Sequence, residues 1–200
     1  GIQDGKINGI LLEGLNVNPG DGEKVSVQTV RAEDLALAGL VSLAVSAEQA
    51  PPAAGQAGLG YIILENMDFS TPQAESIKYQ EILISNFALL GKLPSSLNFA
   101  LKGMEVETSK IKDPEFKASL EKLGYEKVKL NFGLKFAWEK ESWKFSIAQL
   151  TVGMAEAADL IFSLDLDGVD LAAIAADNDF EKHLAEFRLK GAELRLVDNS

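Results

Sequence analysis

Few residues of this 200-residue chain have the type and spacing that chemistry requires. The single histidine, His183, lies between Lys182 and Leu184 on a predicted amphipathic helix. A Ser-His-Asp hydrolase would have to use this histidine as its general base. The chain has no G-x-S-x-G nucleophile elbow, and a histidine on a helix needs no catalytic explanation. We therefore predict no catalytic residue and no enzymatic activity.

Three carboxylates, Asp165, Asp167 and Asp170, surround Gly168 and form a second candidate site. Clustered carboxylates suit Ca²⁺, but in an EF-hand loop the glycine follows a third carboxylate, whereas here it directly follows the second. The chain also lacks a phosphate-binding glycine loop and a dinucleotide fingerprint. We interpret the three carboxylates as solvated and predict neither a metal nor a cofactor.

Two tryptophans, Trp138 and Trp143, flank a predicted turn over residues 139 to 142. They could contact each other across the end of a hairpin, or lie exposed at a loop rim and contact a sugar or a membrane interface. We favour the structural pair.

Composition narrows the choice of partners. A formal net charge of −11 repels phosphate backbones and anionic lipid headgroups, so we expect no nucleic-acid partner and no electrostatic docking on membranes. The chain has no cysteine, so disulfide chemistry does not indicate a compartment. With 46% hydrophobic residues, the chain is predicted to form a single domain over residues 1–200.

An internal repeat organises the predicted elements. The stretch Ile10–Gly39 returns without a gap 52 residues later (62 − 10 = 52) as Ile62–Gly91, with eight identical positions among thirty. Such self-similarity indicates a duplicated supersecondary unit. In the first copy the apolar alternation slips by one residue at Thr29/Val30, and the second copy slips at the matching place. The slip predicts a bulge or a sharp twist within a strand.

Later segments continue this strand pattern. Residues 97–106, 147–152 and 189–194 repeat the order apolar, any, small, apolar, any, apolar. Residues 48–60 are rich in Ala, Pro and Gly and are predicted to form a flexible linker, while residues 41–45 fit a strand or a short helix.

The predicted fold is mainly β (α+β). It is a strongly twisted antiparallel sheet of eight to ten strands, with internal strand-turn-strand repeats and two helices, Asp113–Leu123 and Asp170–Phe187, that cover an apolar face. Strict alternation from Lys127 to Trp138 indicates one apolar and one polar face. The residues predicted to contact an apolar ligand on the apolar face are Leu130, Phe132, Leu134, Phe136, Phe162 and Leu164.

The segments LEGLNV and LENMDF, followed by EDLALAGL and NFALLGKL, resemble the repeating strand units of AsmA-like proteins of Gram-negative envelopes. The resemblance covers residues 5–106 and, more loosely, 143–197. It implies a β-rich periplasmic body with an inner-membrane anchor outside this sequence. It also implies a group associated with outer-membrane assembly and with moving lipid along an apolar groove. The predicted helix Asp113–Leu123 and the short length depart from that pattern.

We therefore expect a non-enzymatic structural or interaction protein of the periplasm or envelope, whose sheet edges add strands to protein partners. The alternative is a binding or carrier protein for a lipid or acyl chain, held in a cavity between the helices and the apolar face. An enzyme and a cytoplasmic location stay open, and the sequence does not determine the oligomeric state.

Overall fold

The computed structural model describes residues 2–3, 6–20, 22–36, 58–71, 74–90, 93–177 and 180–199. The predicted element at residues 41–45 and most of the predicted linker lie outside these ranges, whereas residues 58–60 belong to a strand. Within these ranges there are three α-helices, α1 (Pro114–Lys122), α2 (Leu171–Asp177) and α3 (Phe180–His183), and two short 3-10 helices, Thr108–Lys110 and Leu184–Glu186. The strands are β1 (Ile2–Gln3), β2 (Lys6–Gly20), β3 (Glu23–Ala36), β4 (Gly58–Thr71), β5 (Ala74–Leu90), β6 (Leu93–Glu107), β7 (Lys127–Glu139), β8 (Lys144–Met154), β9 (Ala158–Asp167) and β10 (Arg188–Asp198).

All ten strands form one open antiparallel sheet in sequence order. Each strand pairs with the next strand along the chain, and β1 adds only two residues beside β2. Antiparallel neighbours need only short connections, and Gly20 and Gly22 supply the positive φ angles of the β2–β3 turn. The predicted mainly β, antiparallel architecture is confirmed.

The repeat places residues with left-handed backbone at equivalent positions. Gly14 (φ 64°) and Asn66 (φ 51°) are 52 residues apart, and so are Asp34 (φ 53°) and Asn86 (φ 51°). Glycine, asparagine and aspartate are the residue types that best tolerate this conformation. The two copies therefore share a backbone conformation although their side chains differ.

At these positions the strand ladder skips one residue on each strand. Glu13 pairs with Thr29 and Leu15 pairs with Val27, but Gly14 does not pair with Gln28. These unpaired residues change which side chains point to each face of the sheet. The burial of side chains on β3 shows this change.

Val27 and Ala32 are both buried on β3, although residues five apart lie on opposite faces of an uninterrupted strand. The unpaired Gln28 between them returns both side chains to one face. The predicted slip is confirmed, and it lies at Gln28, one residue before the predicted position.

The looser echoes of the repeat also coincide with irregular pairing. Lys102 and Gly103 (φ 60°) on β6 lie opposite the single residue Asn131 on β7, whose Oδ1 accepts a hydrogen bond from the Gly103 N–H at 3.0 Å. Register shifts also fall within residues 147–150 and 189–191. The shared sequence pattern therefore marks places where a strand carries a bulge.

Helix α1 starts as predicted and ends near the predicted residue. Asp113 Oδ1 accepts a hydrogen bond from the Phe116 N–H at 2.8 Å, Pro114 occupies the first helical turn, and Gly124 (φ 83°) follows the helix end. No helix in the described ranges is both long enough and apolar enough to cross a bilayer.

The helical connections lie beside opposite ends of β7. Helix α1 connects β6 to β7 beside the start of β7, where Lys127 pairs with Glu107. Helices α2 and α3 connect β9 to β10 beside the end of β7, because Asp167 pairs with Lys144, which in turn pairs with Glu139. Measured along the strands, the middle of β7 and of its neighbours therefore lies between the two helical connections.

Candidate apolar binding face

One face of the sheet carries two uninterrupted rows of apolar residues. Directly paired residues of an antiparallel ladder lie side by side on the same face, so the register links one residue of each strand from β2 to β10 into a row. The first row is Leu12, Val30, Leu64, Ile82, Leu101, Phe132, Val152, Leu160 and Leu196. The second row is Ile10, Ala32, Ile62, Ile84, Phe99, Leu134, Leu150, Phe162 and Leu194. We call these eighteen residues the apolar band.

Six residues of the band are exposed and eleven are half-buried. Of its eighteen residues only Ala32 is buried. Val152, on β8, is 56% exposed, and Leu196, on β10, is 71% exposed. With strands about 4.8 Å apart, nine strands make a band about 38 Å long. An exposed apolar patch of this extent indicates an interaction surface.

The apolar face is closed at its ends and open in its middle. Val128 and Trp138, near the two ends of β7, are buried. The Trp138 Nε1–H donates a hydrogen bond to the carbonyl oxygen of buried Val169, just before α2, at 2.8 Å. At the other end Leu120 of α1 is buried, while Phe116 of the same helix is exposed. The residues of the band stay half-buried or exposed between these ends, so the helices cover less of the face than expected.

All six residues predicted to contact an apolar ligand lie on this face. Phe132, Leu134 and Phe162 belong to the band. The other three, Leu130, Phe136 and Leu164, lie in the flanking rows of the same face. The Phe132 ring lies 5.9 Å from that of Phe99 on the neighbouring strand, measured between centroids. The six predicted residues do not include those that strands β2 to β6 and β10 contribute to this face, although alternate apolar residues such as Ile62 and Leu64 on β4 were a visible signal.

The predicted Trp138–Trp143 pair is wrong. Trp138 is buried and bonds the Val169 backbone, whereas Trp143 lies in the turn and is 44% exposed. The ring contact of this hairpin joins Phe136 and Phe145, with centroids 6.1 Å apart. The residue directly paired with Trp138 on β8 is Phe145.

The opposite face carries the charged pairs. Lys127 Nζ donates a hydrogen bond to Glu105 Oε1 at 2.8 Å, which lowers the pKa of Glu105 and raises the pKa of Lys127. A hydrogen bond with the Glu33 carboxylate raises the pKa of Tyr61. These three shifts arise from neighbours on the polar face and not from a buried site.

Two surface clefts lie mainly on the polar face. They have volumes of ≈ 480 and ≈ 450 Å³, and neither is lined by any of the six predicted ligand-contacting residues. The larger is lined by both charge signs, including Lys144, Asp165, Asp167 and Lys190. Neither cleft is the apolar cavity that the sequence predicts between the helices and the apolar face.

Three of the remaining candidate residues, His183, Asp167 and Asp170, have neighbouring partners. His183 is buried, and its Nδ1 lies 3.8 Å from Glu186 Oε2. Asp170 Oδ1 accepts hydrogen bonds from two N–H groups of the first turn of α2, those of Ala172 and Ala173. Asp167 forms an ion pair with Lys190. Within the described residues, no three His, Asp or Glu side chains are grouped in a way that could hold a metal ion.

Comparisons with known proteins find no matching family model, no matching curated protein and no matching solved structure.

Proposed function

We propose that this chain is a non-enzymatic binding protein that holds an elongated apolar ligand, such as a lipid or acyl chain, along the apolar band. The observation that carries the proposal is the continuity of the band: two rows of nine apolar residues, of which one residue is buried. Scattered exposed apolar residues are ordinary on protein surfaces, but a continuous strip is not.

The shape of the strip favours a long ligand over a compact one. The band runs across the strands for about 38 Å, and its two continuous rows lie about 7 Å apart along each strand. A chain laid along it would keep apolar contacts over its whole length. Each buried methylene contributes roughly 0.8 kcal/mol to binding. The buried ends near Val128 and Trp138 would confine such a ligand to the middle rows.

A second candidate function is a structural or interaction role in the periplasm or envelope. The exposed outer strand β10 favours it, because an uncovered strand edge can add a strand from a partner. The envelope location itself rests on the resemblance to AsmA-like strand units.

The test of ligand binding compares two substitutions of similar exposure on opposite faces. Val152→Glu places a charge within the band, on β8, at a residue 56% exposed. Leu11→Glu places the same charge at a residue 58% exposed that lies on the other face, between Ile10 and Leu12 of the band. Native mass spectrometry would detect co-purified lipid, and titration with a fluorescent acyl-chain probe would measure affinity.

We expect wild type and Leu11→Glu to bind the probe with similar affinity, and Val152→Glu to bind at least tenfold more weakly, because burying an unpaired carboxylate against the ligand is costly. Equal loss in both variants would show that the effect is not specific to the band. Absence of both co-purified lipid and probe binding in the wild type would reject the proposal.

A further inference from the structure

The outer edge of β10 has the features of a site for strand pairing. β10 pairs with β9 over residues 188–198, and no described strand pairs with its other side. Leu194 and Leu196, at the β10 end of the apolar band, are 67% and 71% exposed. An edge of this length presents a row of N–H and C=O groups that another strand can bond.

The hydrogen-bonding pattern shows which backbone groups point outward. Asn199 N–H donates to the Ala157 carbonyl oxygen at 2.8 Å, and the register between β9 and β10 is constant from there back to Gly191. Since alternate residues of an antiparallel ladder exchange hydrogen bonds with the partner strand, odd-numbered residues of β10 bond β9. The N–H and C=O groups of Ala192, Leu194 and Leu196 therefore point away from the sheet.

Two opposite charges flank Leu194 on the polar face. Glu193 pairs with Ser163 and Arg195 pairs with Ile161, so neither charged residue has a charged partner directly across on β9. Within the described ranges neither side chain forms an ion pair, and both residues are exposed. Their charges are thus available to a strand on the outer side.

We propose that β10 pairs antiparallel with β10 of a second copy of this chain, about a two-fold axis at Leu194. In this register Leu194 lies opposite its own counterpart, and Ala192 of each copy lies opposite Leu196 of the other. Glu193 of each copy lies opposite Arg195 of the other, which gives two cross-strand ion pairs.

The charges select this register over its neighbours. Moving the axis one residue back sets Glu193 against Glu193, and moving it one residue forward sets Arg195 against Arg195. An axis between two residues would oppose outward-pointing and inward-pointing backbone groups, so no ladder could form. Only the axis at Leu194 therefore combines opposite charges with apolar contacts and a complete ladder.

The pairing also extends the apolar band. A two-fold axis perpendicular to the sheet keeps both apolar faces on the same side. The second row would continue into its counterpart through Leu194, and Leu196 at the end of the first row would meet Ala192 of the other copy. The pairing itself needs no ligand. A negative result for ligand binding would therefore not count against the dimer, and a monomeric wild type would not count against ligand binding.

The experiment is sedimentation of the wild type, Glu193→Arg, Arg195→Glu and the double swap over a range of about 10 µM to about 1 mM, which suits a small interface. The chain mass is 21.5 kDa, so the dimer has twice that mass. We expect a concentration-dependent dimer for the wild type and for the double swap, in which the opposite charges are exchanged but still face each other.

Each single variant sets like charges against each other twice, and we expect its dimer to dissociate at least tenfold more readily. An equimolar mixture of the two single variants should form a heterodimer, because one carries two arginines and the other two glutamates at these positions. Circular dichroism confirms that each variant is folded. A wild type that stays monomeric, single variants that dimerise like the wild type, a mixture that does not associate, or growth into larger polymers would each overturn the proposal.

Discussion

At the scale of the residue, the recurring feature of this protein is a single residue with left-handed backbone conformation inside a strand. Gly14, Asn66 and Gly103 occupy the same place in the recurring sequence pattern and all have positive φ. Asn66 also donates a hydrogen bond from Nδ2 to Gln28 Oε1 at 2.6 Å, on the neighbouring strand. These residues shift the alternation so that apolar side chains on both sides of the shift lie on one face.

Substitution of Gly14 tests whether backbone conformation is what the position requires. A Cβ added there would have no atom within 4 Å, so Gly14→Ala introduces no steric clash with neighbours. We expect it to lower the free energy of unfolding by about 1 kcal/mol through left-handed strain, measured by urea denaturation. Gly14→Asn should cost less than Gly14→Ala, because asparagine occupies the equivalent position 66 and tolerates this conformation.

Gly9→Ala is the matched control on the same strand. A Cβ at Gly9 would meet its nearest atoms at 3.9 Å, and the residue has no positive φ, so its effect should stay within about 0.5 kcal/mol. If Gly9→Ala cost as much as Gly14→Ala, left-handed conformation would not be the cause.

At the scale of the element, β10 differs from the strands inside the sheet. Most of its residues are exposed, and the pairing with β9 accounts for only half of its backbone groups. The short helices do not cover the exposed residues of β10, since they lie at the ends of the strands.

Amide hydrogen exchange along β10 would measure which of its N–H groups are hydrogen-bonded. At low protein concentration we expect the amides of Glu193 and Arg195 to exchange slowly and those of Ala192, Leu194 and Leu196 to exchange fast, because only the first group bonds β9. At high concentration, where the proposed dimer forms, the second group should become protected. Uniform exchange along the strand would contradict the assigned hydrogen-bonding pattern.

At the scale of the whole molecule, the protein is one sheet with little core. Among the residues that the structure describes, seven apolar side chains are buried, and four of them (Leu120, Val128, Trp138 and Val169) lie at the ends of the strands beside the helices. Stability must therefore depend on the ladders and on half-buried cross-strand contacts such as Phe99 with Phe132.

A thin sheet of this kind should unfold with a small change in exposed area. We expect a urea m-value below that of compact proteins of 200 residues, because m scales with the surface exposed on unfolding. Equilibrium urea unfolding monitored by circular dichroism, at a concentration that keeps the chain monomeric, measures it. An m-value equal to that of compact proteins of this length would show that the faces are covered after all.

The sequence by itself determined the local elements of this protein. Alternation of apolar and polar residues predicts the strands, and Asp113 and Pro114 predict the start of α1. The repeat predicts a slip at Thr29/Val30, one residue from its place in the structure. These features depend on residues a few positions apart, so their causes are present in any short stretch of chain.

Only the tertiary structure decided how the rows align and what covers them. The apolar band exists because residues as far apart as Leu12 and Leu196 fall in one row, and that alignment depends on every register shift between them. The sequence predicts six residues of one apolar face, but the coverage of that face depends on where the helical connections lie. Pairing and burial are relations between distant segments. Alternation within one strand indicates which residues share a face, but it does not determine which residues of other strands they meet or what covers them.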